Sequence, residues 1–366
     1  MKALFGRYLK VIDWYIIRKY LGTFSFTIAL FMVIIVVFDV SEHLDNFLKS
    51  NAPLSAIVFQ YYAGYLPFYT NLLLPLINFL AVIFFTAKMA NQTEIVPILS
   101  GKASFNRFLR PYFFSATLIF IVFFFANIYL IPFTNKLDIT FENHYFNDVD
   151  PTKSEVHMQL DKDTYVYLQS FDNTIHTGYD FVLEKFDGDE MKQKLVANRI
   201  VYDSLKRVWS IQDYNVRYVN GLKESFVYNG IKKDTVLDMK PADFEAHDNV
   251  YRAMGMAELN KNIQREQLRG TGALTDMLFE KYRRFVYPLS SYVLMVIGVA
   301  ISSRKVRGGI GLPLGIGIFL CFTYIVVDRF AFVFSIKGGM PPIIAVFIPN
   351  VLFGILGYYL LIKAPK

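Results

Sequence analysis

The sequence holds one cysteine in 366 residues, Cys321, and it lies inside an apolar run. No intrachain disulfide can form, so cysteine usage leaves the compartment unread. The five histidines (His43, His144, His157, His176, His247) lack metal-ligand spacing, so no metal or other cofactor is expected. No nucleophile–base–orienter set assembles, which argues against an enzyme. A phosphate-binding loop is missing too. SGKAS (100–104) looks like the end of one, but Val96 stands where the first glycine belongs and Ala103 follows the lysine. If ATP drives this protein, another subunit hydrolyses it. Nor does the polar part carry the basic, aromatic-interleaved stripe of a nucleic-acid binder.

What the chain has in excess is apolar surface. It is 54% hydrophobic and 17% aromatic, with 36 phenylalanines and a mean hydropathy of +0.33, where globular domains run nearer about 45–50% apolar. The excess is gathered into runs long enough to cross a bilayer, with the water-compatible residues gathered at 134–284. Three runs precede that island, at about 21–38, 56–86 and 112–133. Three follow it, at about 285–302, 310–335 and 342–362. Pro67 and Pro75 predict a kink or break in the second run.

The net charge of +7 is unevenly placed. The island holds 21 Lys/Arg against 25 Asp/Glu, leaving 17 against 6 for the rest. The basic excess flanks the apolar runs at 1–19, 88–111, 302–309 and the C-terminal tail, whereas the two short loops on the opposite side hold Lys49 and Lys337. Lys281, Arg283 and Arg284 break that pattern. The first run competes with a cleaved signal peptide, but it is long and ends in FDVSEHL without a small-x-small cleavage site, so an uncleaved span is expected. The bias predicts both termini in the cytoplasm and the island outside.

Within the island the period changes to alternation. TYVYLQSF (164–171), DFVLEKF (180–186), KLVANRIVYD (194–203), RVWSIQDYNVRYV (207–219) and SFVYNG (225–230) read as half-buried strands. Turn signals such as Asp187-Gly188 and Asn220-Gly221 separate them, pointing to a sandwich or open barrel. After Pro241 the pattern returns to helix, first MAELNKNIQREQLRG and then a helix from about Thr275 into the fourth span.

Three features invite functional readings. Gly311 and Gly315, four apart at the start of span five, suit close helix approach, or flexibility at a helix entrance. Asp328 and Arg329 lie in the outer part of span five, where a charge is costly. Arg329 either snorkels to the surface or faces a polar cavity and an anionic ligand. The segment 91–110, between spans two and three, opens with Asn91-Gln92-Thr93-Glu94, a helix-start pattern with its acid where the dipole favours one. Ile95, Ile98 and Leu99 then form one apolar face. Glu94 either meets a partner's basic residue or caps its own helix.

These segments together resemble the LptF/LptG permeases of the lipopolysaccharide exporter. VIDWYIIRKYLGTF (11–24) is similar to that family's first span, and TEIVPILSGKASFNRF (93–108) sits where it has a cytoplasmic coupling helix. ANRIVYDSLKRVWSIQDYNV (197–216) resembles its strand–turn–strand with a tryptophan. KYRRFVYPLSSYVLMVIGVAIS (281–302) and TYIVVDRFAFVFSIKGGMPPIIAVFIPNVLFGILGYYLL (323–361) match its last three spans, with their Pro-Pro and Pro-Asn pairs.

The resemblance implies a six-span α-helical membrane protein with an inserted all-β, jellyroll-like periplasmic domain. It divides as 1–133 (first triplet, coupling segment 88–111), 134–274 (β-rich domain) and 275–366 (second triplet). It further implies a permease of an ABC transporter that extracts lipopolysaccharide from the Gram-negative inner membrane toward a periplasmic bridge. Partners would be an LptB-type ATPase dimer, a second LptF/LptG-type permease, and LptC-type and LptA-type jellyroll proteins. Glu94, Ile95, Ile98 and Leu99 are then the expected ATPase-coupling residues, and Lys281, Arg283, Arg284, Arg329 and Asp328 the candidate substrate contacts. Two departures stand out: Pro97 follows Glu94 where the family usually has Ala or Arg, and Asp39 occupies a region that is often basic. The alternative is a membrane-anchored periplasmic binding or assembly protein that moves no substrate; it has no need of a cytoplasmic docking segment.

Overall fold

A computed structural model describes residues 10–364 except 51, 102–103, 147–151, 245–249, 270–272 and 305–308. Parts of the basic flanks at 1–9, Lys102 and 305–308 therefore lie outside the described residues, as does part of SGKAS. The chain divides into a helical unit (Met1–Phe146, Arg252–Met256 and Leu278–Lys366) and a sheet unit (Asn147–Tyr251 and Ala257–Met277).

Among the described residues six helices have the length and apolarity to cross a membrane: Val11–Lys49, Leu74–Asn91, Phe105–Tyr145, Leu274–Ser302, Gly311–Lys337 and Pro342–Lys363. The first, α1 (Val11–Lys49), runs well past its apolar stretch at both ends. The second run is broken, as its prolines predict. A π turn (Ile57–Tyr61) leads into α2 (Tyr62–Leu72), and α3 (Leu74–Asn91) restarts at Leu73 with Pro75 in its first turn. Pro67 is accommodated inside α2, so the break falls at the second proline, where a missing N–H does no harm. After α4 (Ile95–Ser100), the third span comprises α5 (Phe105–Phe125), a second π turn (Ala126–Leu130) and α6 (Ile131–Tyr145). Pro132, which has no N–H to give, stands two residues after that π turn, in the first turn of α6.

The central helix is α3, nearly all of it buried. Polar ties fix it. Tyr20 donates to Asn78 Oδ1 (2.6 Å), and Asn78 Nδ2 donates to the Ser291 carbonyl (3.0 Å). Just before α3, Asn71 of α2 and Asn127 of the second π turn exchange amide hydrogen bonds of 3.0 and 2.8 Å. In a medium that cannot hydrogen-bond, such pairs set helix register. The rings of Tyr20, Phe85 and Tyr112 stack at 5.3 Å intervals beside them.

The sheet unit is one antiparallel meander, β1 (Thr152–Asp161), β2 (Thr164–Asp172), β3 (Thr177–Asp187), β4 (Glu190–Asp203), β5 (Val208–Asn220) and β6 (Lys223–Thr235), each paired with its sequence neighbours. One more strand is present than the alternation marked: β1 reads as polar. The expected turns form at Gly188 and Gly221, both left-handed (φ +61°). Asp161, Asp172 and Asp203 close the other three hairpins by accepting backbone N–H groups. Trp209 anchors the buried face and donates to the Met239 carbonyl (2.9 Å). Then follow α7 (Val250–Ala253), α8 (Met256–Arg269), α9 (Leu274–Val286), a 3-10 turn at Pro288, α10 (Ser290–Ser302), α11 (Gly311–Lys337) and α12 (Pro342–Lys363). In α8, Leu259, Ile263 and Glu266 face inward. The Pro-Asn pair of α12 is used structurally: Asn350 accepts from Tyr324 (3.2 Å) and donates to the Val286 carbonyl (3.3 Å).

Glycine supports the packing elsewhere than expected. A Cβ on Gly311 or Gly315 would meet nothing within 4 Å, so neither packs closely against another helix among the described residues. Close approaches between helices include those at Gly64, Gly298 and Gly317. A Cβ on Gly64 would lie 2.5 Å from the Thr134 carbonyl oxygen.

Candidate functional site

The 91–110 segment begins where α3 ends in a tight turn. Glu94 N–H reaches the Met89 carbonyl (2.9 Å) and Thr93 N–H the Ala90 carbonyl (3.1 Å), with Thr93 left-handed (φ +59°). Glycine is usual at this position. The turn brings Glu94 immediately before α4, with Pro97 three residues on, within the first helical turn. Glu94 does not cap α4. Its carboxylate instead receives Lys19 Nζ (3.1 Å) and the Tyr15 hydroxyl (2.9 Å) from α1.

The apolar face expected to dock a partner is turned inward. Ile95 is buried in the helical core, and Ile98 and Leu99 pack against it half-buried. These residues hold α4 on the bundle because that is the apolar surface available to cover them. The outward residues are Asn91, Gln92, Thr93, Val96, Pro97 and Ser100. At the far end of the segment Ser104 caps α5, accepting from Arg107 N–H (3.3 Å). The Arg107 guanidinium makes a two-pronged contact with Asp13 (2.7 and 2.5 Å), and Asp13 also accepts the Lys10 N–H (2.7 Å). A groove of about 440 Å³ runs between α1 and the segment, lined by Ile12, Ile16, Pro97, Ile98 and the Asp13–Arg107 pair.

The basic residues near span four separate into two kinds. Arg283 reaches across to Asp328 of α11 (3.1 Å) and lies over the Tyr287 ring (4.7 Å). Arg284 is buried; it donates to Glu280 (3.0 Å) and to the carbonyls of Met254 (2.8 Å) and Arg252 (3.2 Å), closing the end of α7. Both are engaged within the chain. Asp328 is buried with Arg283, whereas its neighbour Arg329 is exposed. Lys281, half-buried, and Arg329 have no ion-pair partner among the described residues. A cavity of about 30 Å³, room for a water or two, lies among Asn71, Asn127, Glu280, Arg283 and Tyr287. Arg252, which sequence reasoning missed, also lines it. Burial, with Arg283 and Arg329 nearby, holds its guanidinium below the usual range. The surplus of charge here is positive.

Asp39 is almost fully buried. It accepts from the Tyr61 hydroxyl (2.7 Å) and lies 3.0 Å from His43 Nδ1, inside a cluster with Phe47, Phe141 and Phe146. It is no place for an anion. In the sheet unit a hollow of about 650 Å³ opens beside Tyr165, Tyr167, Val182, Phe186 and Lys194.

Six apolar helices around buried polar ties, with an antiparallel sheet domain inserted between the third and fourth, define a polytopic membrane protein with a β-domain insertion. The family model described as lipopolysaccharide export system permease LptF/LptG matches residues 14–363, nearly the whole chain, and the chain belongs to that family. It is a lipopolysaccharide export permease, a transporter subunit of the bacterial inner membrane and not itself an enzyme. A comparison with curated proteins finds no match.

Proposed function

We propose that this chain is one permease of an ABC transporter that draws lipopolysaccharide out of the inner membrane and passes it to a periplasmic bridge. An LptB-type ATPase dimer supplies the energy, a second LptF/LptG-type permease completes the cavity, and LptC-type and LptA-type jellyroll proteins continue the path. The observation that carries this is the short helix α4, held on the bundle between two spans with Val96 and Pro97 facing out; a scaffold that moves nothing has no use for it. The excess of Lys/Arg flanking the spans supports an orientation with both termini and α4 in the cytoplasm and the sheet domain in the periplasm. The working division is 1–133, 134–274 and 275–366. Lipopolysaccharide carries phosphates and acyl chains, so it calls for an apolar wall rimmed by cations. Lys281 and Arg329 are the cations left for that rim, and the hollow of the sheet domain offers both apolar and charged contacts, from Val166, Val182 and Phe186 and from Lys162, Glu184 and Lys194.

The test is reconstitution of the complex in proteoliposomes with lipopolysaccharide and ATP. ATP-dependent release is expected, and its absence from an assembled, ATP-hydrolysing complex would refute the reading. In the same preparation Lys281→Glu with Arg329→Glu should weaken photocrosslinking to lipopolysaccharide while leaving ATPase assembly intact. Orientation is read with an impermeant thiol reagent on spheroplasts: Leu222→Cys in the β5–β6 turn should react, and Ser100→Cys should not.

A further inference from the structure

The least supported span is tied at one end to the segment that would meet the ATPase. In its most apolar window α1 is 11% buried, against 78% for α3. Beyond Phe24 its buried residues are Ile35 and Asp39, while Phe26, Val33, Val37 and Phe38 are exposed. Its contacts are concentrated near its start, where Ile16, Ile17 and Tyr20 are buried. There it meets the 91–110 segment through two ion pairs, Lys19–Glu94 and Asp13–Arg107. The pairs are six residues apart on α1, about 9 Å along the helix, and they grip both ends of the segment.

The two pairs differ in kind. Asp13–Arg107 is two-pronged, with the Asp13 side chain 4% and that of Arg107 24% exposed, and the Lys10 N–H satisfies Asp13 further. A planar fork on a carboxylate fixes orientation as well as distance. Lys19–Glu94 is about a third exposed on both sides. It is a weaker contact, steadied by the Tyr15 hydroxyl and by Lys19 lying over the Tyr15 ring (4.3 Å). One is a fixed joint and the other a catch that water can reach. An element held at two points moves with what holds it, whereas α3, most of it buried, resists displacement.

Resting on the reading above, we infer that Asp13–Arg107 and Lys19–Glu94 are the linkage that converts ATP-driven displacement of the 91–110 segment into movement of α1. Glu94 then acts toward its own chain, and Lys19, Asp13 and Arg107 are positioning residues for transport. Lipopolysaccharide never touches them.

The measurement is lipopolysaccharide released per ATP hydrolysed, in proteoliposomes holding the whole complex. A purely structural role would lower assembly and both rates together and leave the ratio alone. Lys19→Met and Arg107→Lys should each lower the ratio about five-fold or more, with ATP hydrolysis held within about two-fold, the scale of coupling between sites. Lys19→Arg should keep it. Asp13→Cys with Arg107→Cys should be uncoupled until the two thiols are joined by a short bis-maleimide, then recover; Cys321 is buried and does not compete. An unchanged ratio in Lys19→Met and Arg107→Lys would overturn the inference, as would a bridged double-cysteine complex that stays uncoupled. If Arg107→Lys fails to assemble, Lys19→Met decides alone. A wild-type complex that hydrolyses ATP without exporting lipopolysaccharide would instead sink the transport reading.

Discussion

Removing the carboxylate of Asp328 leaves the Arg283 guanidinium in the bundle without its counter-charge. The two side chains are 12% and 16% exposed and 3.1 Å apart, so water screens the pair little. Breaking one side of such a pair destabilises by about 3–5 kcal/mol, because the remaining charge keeps its desolvation penalty. Two details set the value near the lower end. The contact is a single prong, and Arg283 Nε has no hydrogen-bond partner among the described residues. The Tyr287 ring offsets about 0.5–2 kcal/mol of the exposed charge. Asp328→Ala should therefore cost about 3 kcal/mol. Arg283→Met combined with Asp328→Leu removes both charges at similar volume and should come within about 1 kcal/mol of wild type. The assay is unfolding by SDS in mixed micelles, followed by circular dichroism. A loss below about 1 kcal/mol for Asp328→Ala, or a double variant as unstable as the single, would refute the reasoning. Either result would return Arg283 to the substrate.

Gly64→Val presses a side chain onto the Thr134 backbone, which cannot yield as a side-chain tip can; a loss beyond about 3 kcal/mol is expected, read in the same titration. Thr93→Gly relieves a β-branched residue from a left-handed turn at the end of α3, worth about 1 kcal/mol net after glycine's extra chain entropy; an unchanged midpoint would contradict it. Asp161 and Asp203 are held below the ordinary carboxylate range by the backbone N–H groups they accept, chiefly those of Asp163 and Lys206. Their contribution is present above the ordinary carboxylate pKa and lost as pH falls through the lowered value. Amide exchange at the β1–β2 and β4–β5 turns should therefore lose protection below about pH 4, ahead of the Gly188 turn.

The spans were legible because apolar runs and flanking charge are local signals, and the strands because alternation is. What escaped was where each element ends. The apolar run of α1 covers about half of its 39 residues, since its ends are polar and stabilised by partners such as Arg107 and Tyr61. Strand β1 escaped for the same reason: TKSEVHMQLD offers few apolar residues. The site divided along the same line. That Glu94 stands at a helix start was readable from Asn91-Gln92-Thr93 and Pro97. That its partner is Lys19, 75 positions earlier, was not, because no periodicity joins them. That Ile95, Ile98 and Leu99 turn toward the bundle was not readable, because an apolar face announces burial without saying against what. Arg283–Asp328, 45 positions apart, was invisible in the same way.

The two π turns bear on how a chain of this kind tolerates a change of length. A π turn is an α-helix that has absorbed one surplus residue without breaking. Ile57–Tyr61 and Ala126–Leu130 each lead into one of the two helices that meet at Gly64. Each is therefore a place where one residue can be deleted and the backbone closed into an ordinary ladder. The helix on one side would then rotate by about 100° against the other. A deletion within Ile57–Tyr61 would leave Gly64 against Thr134 while swinging Leu54 and Ala56 to a new face. Relatives one residue shorter in these stretches would keep the same helix contact with a different lead-in, and an alignment gap placed there is a rotation, not a missing piece.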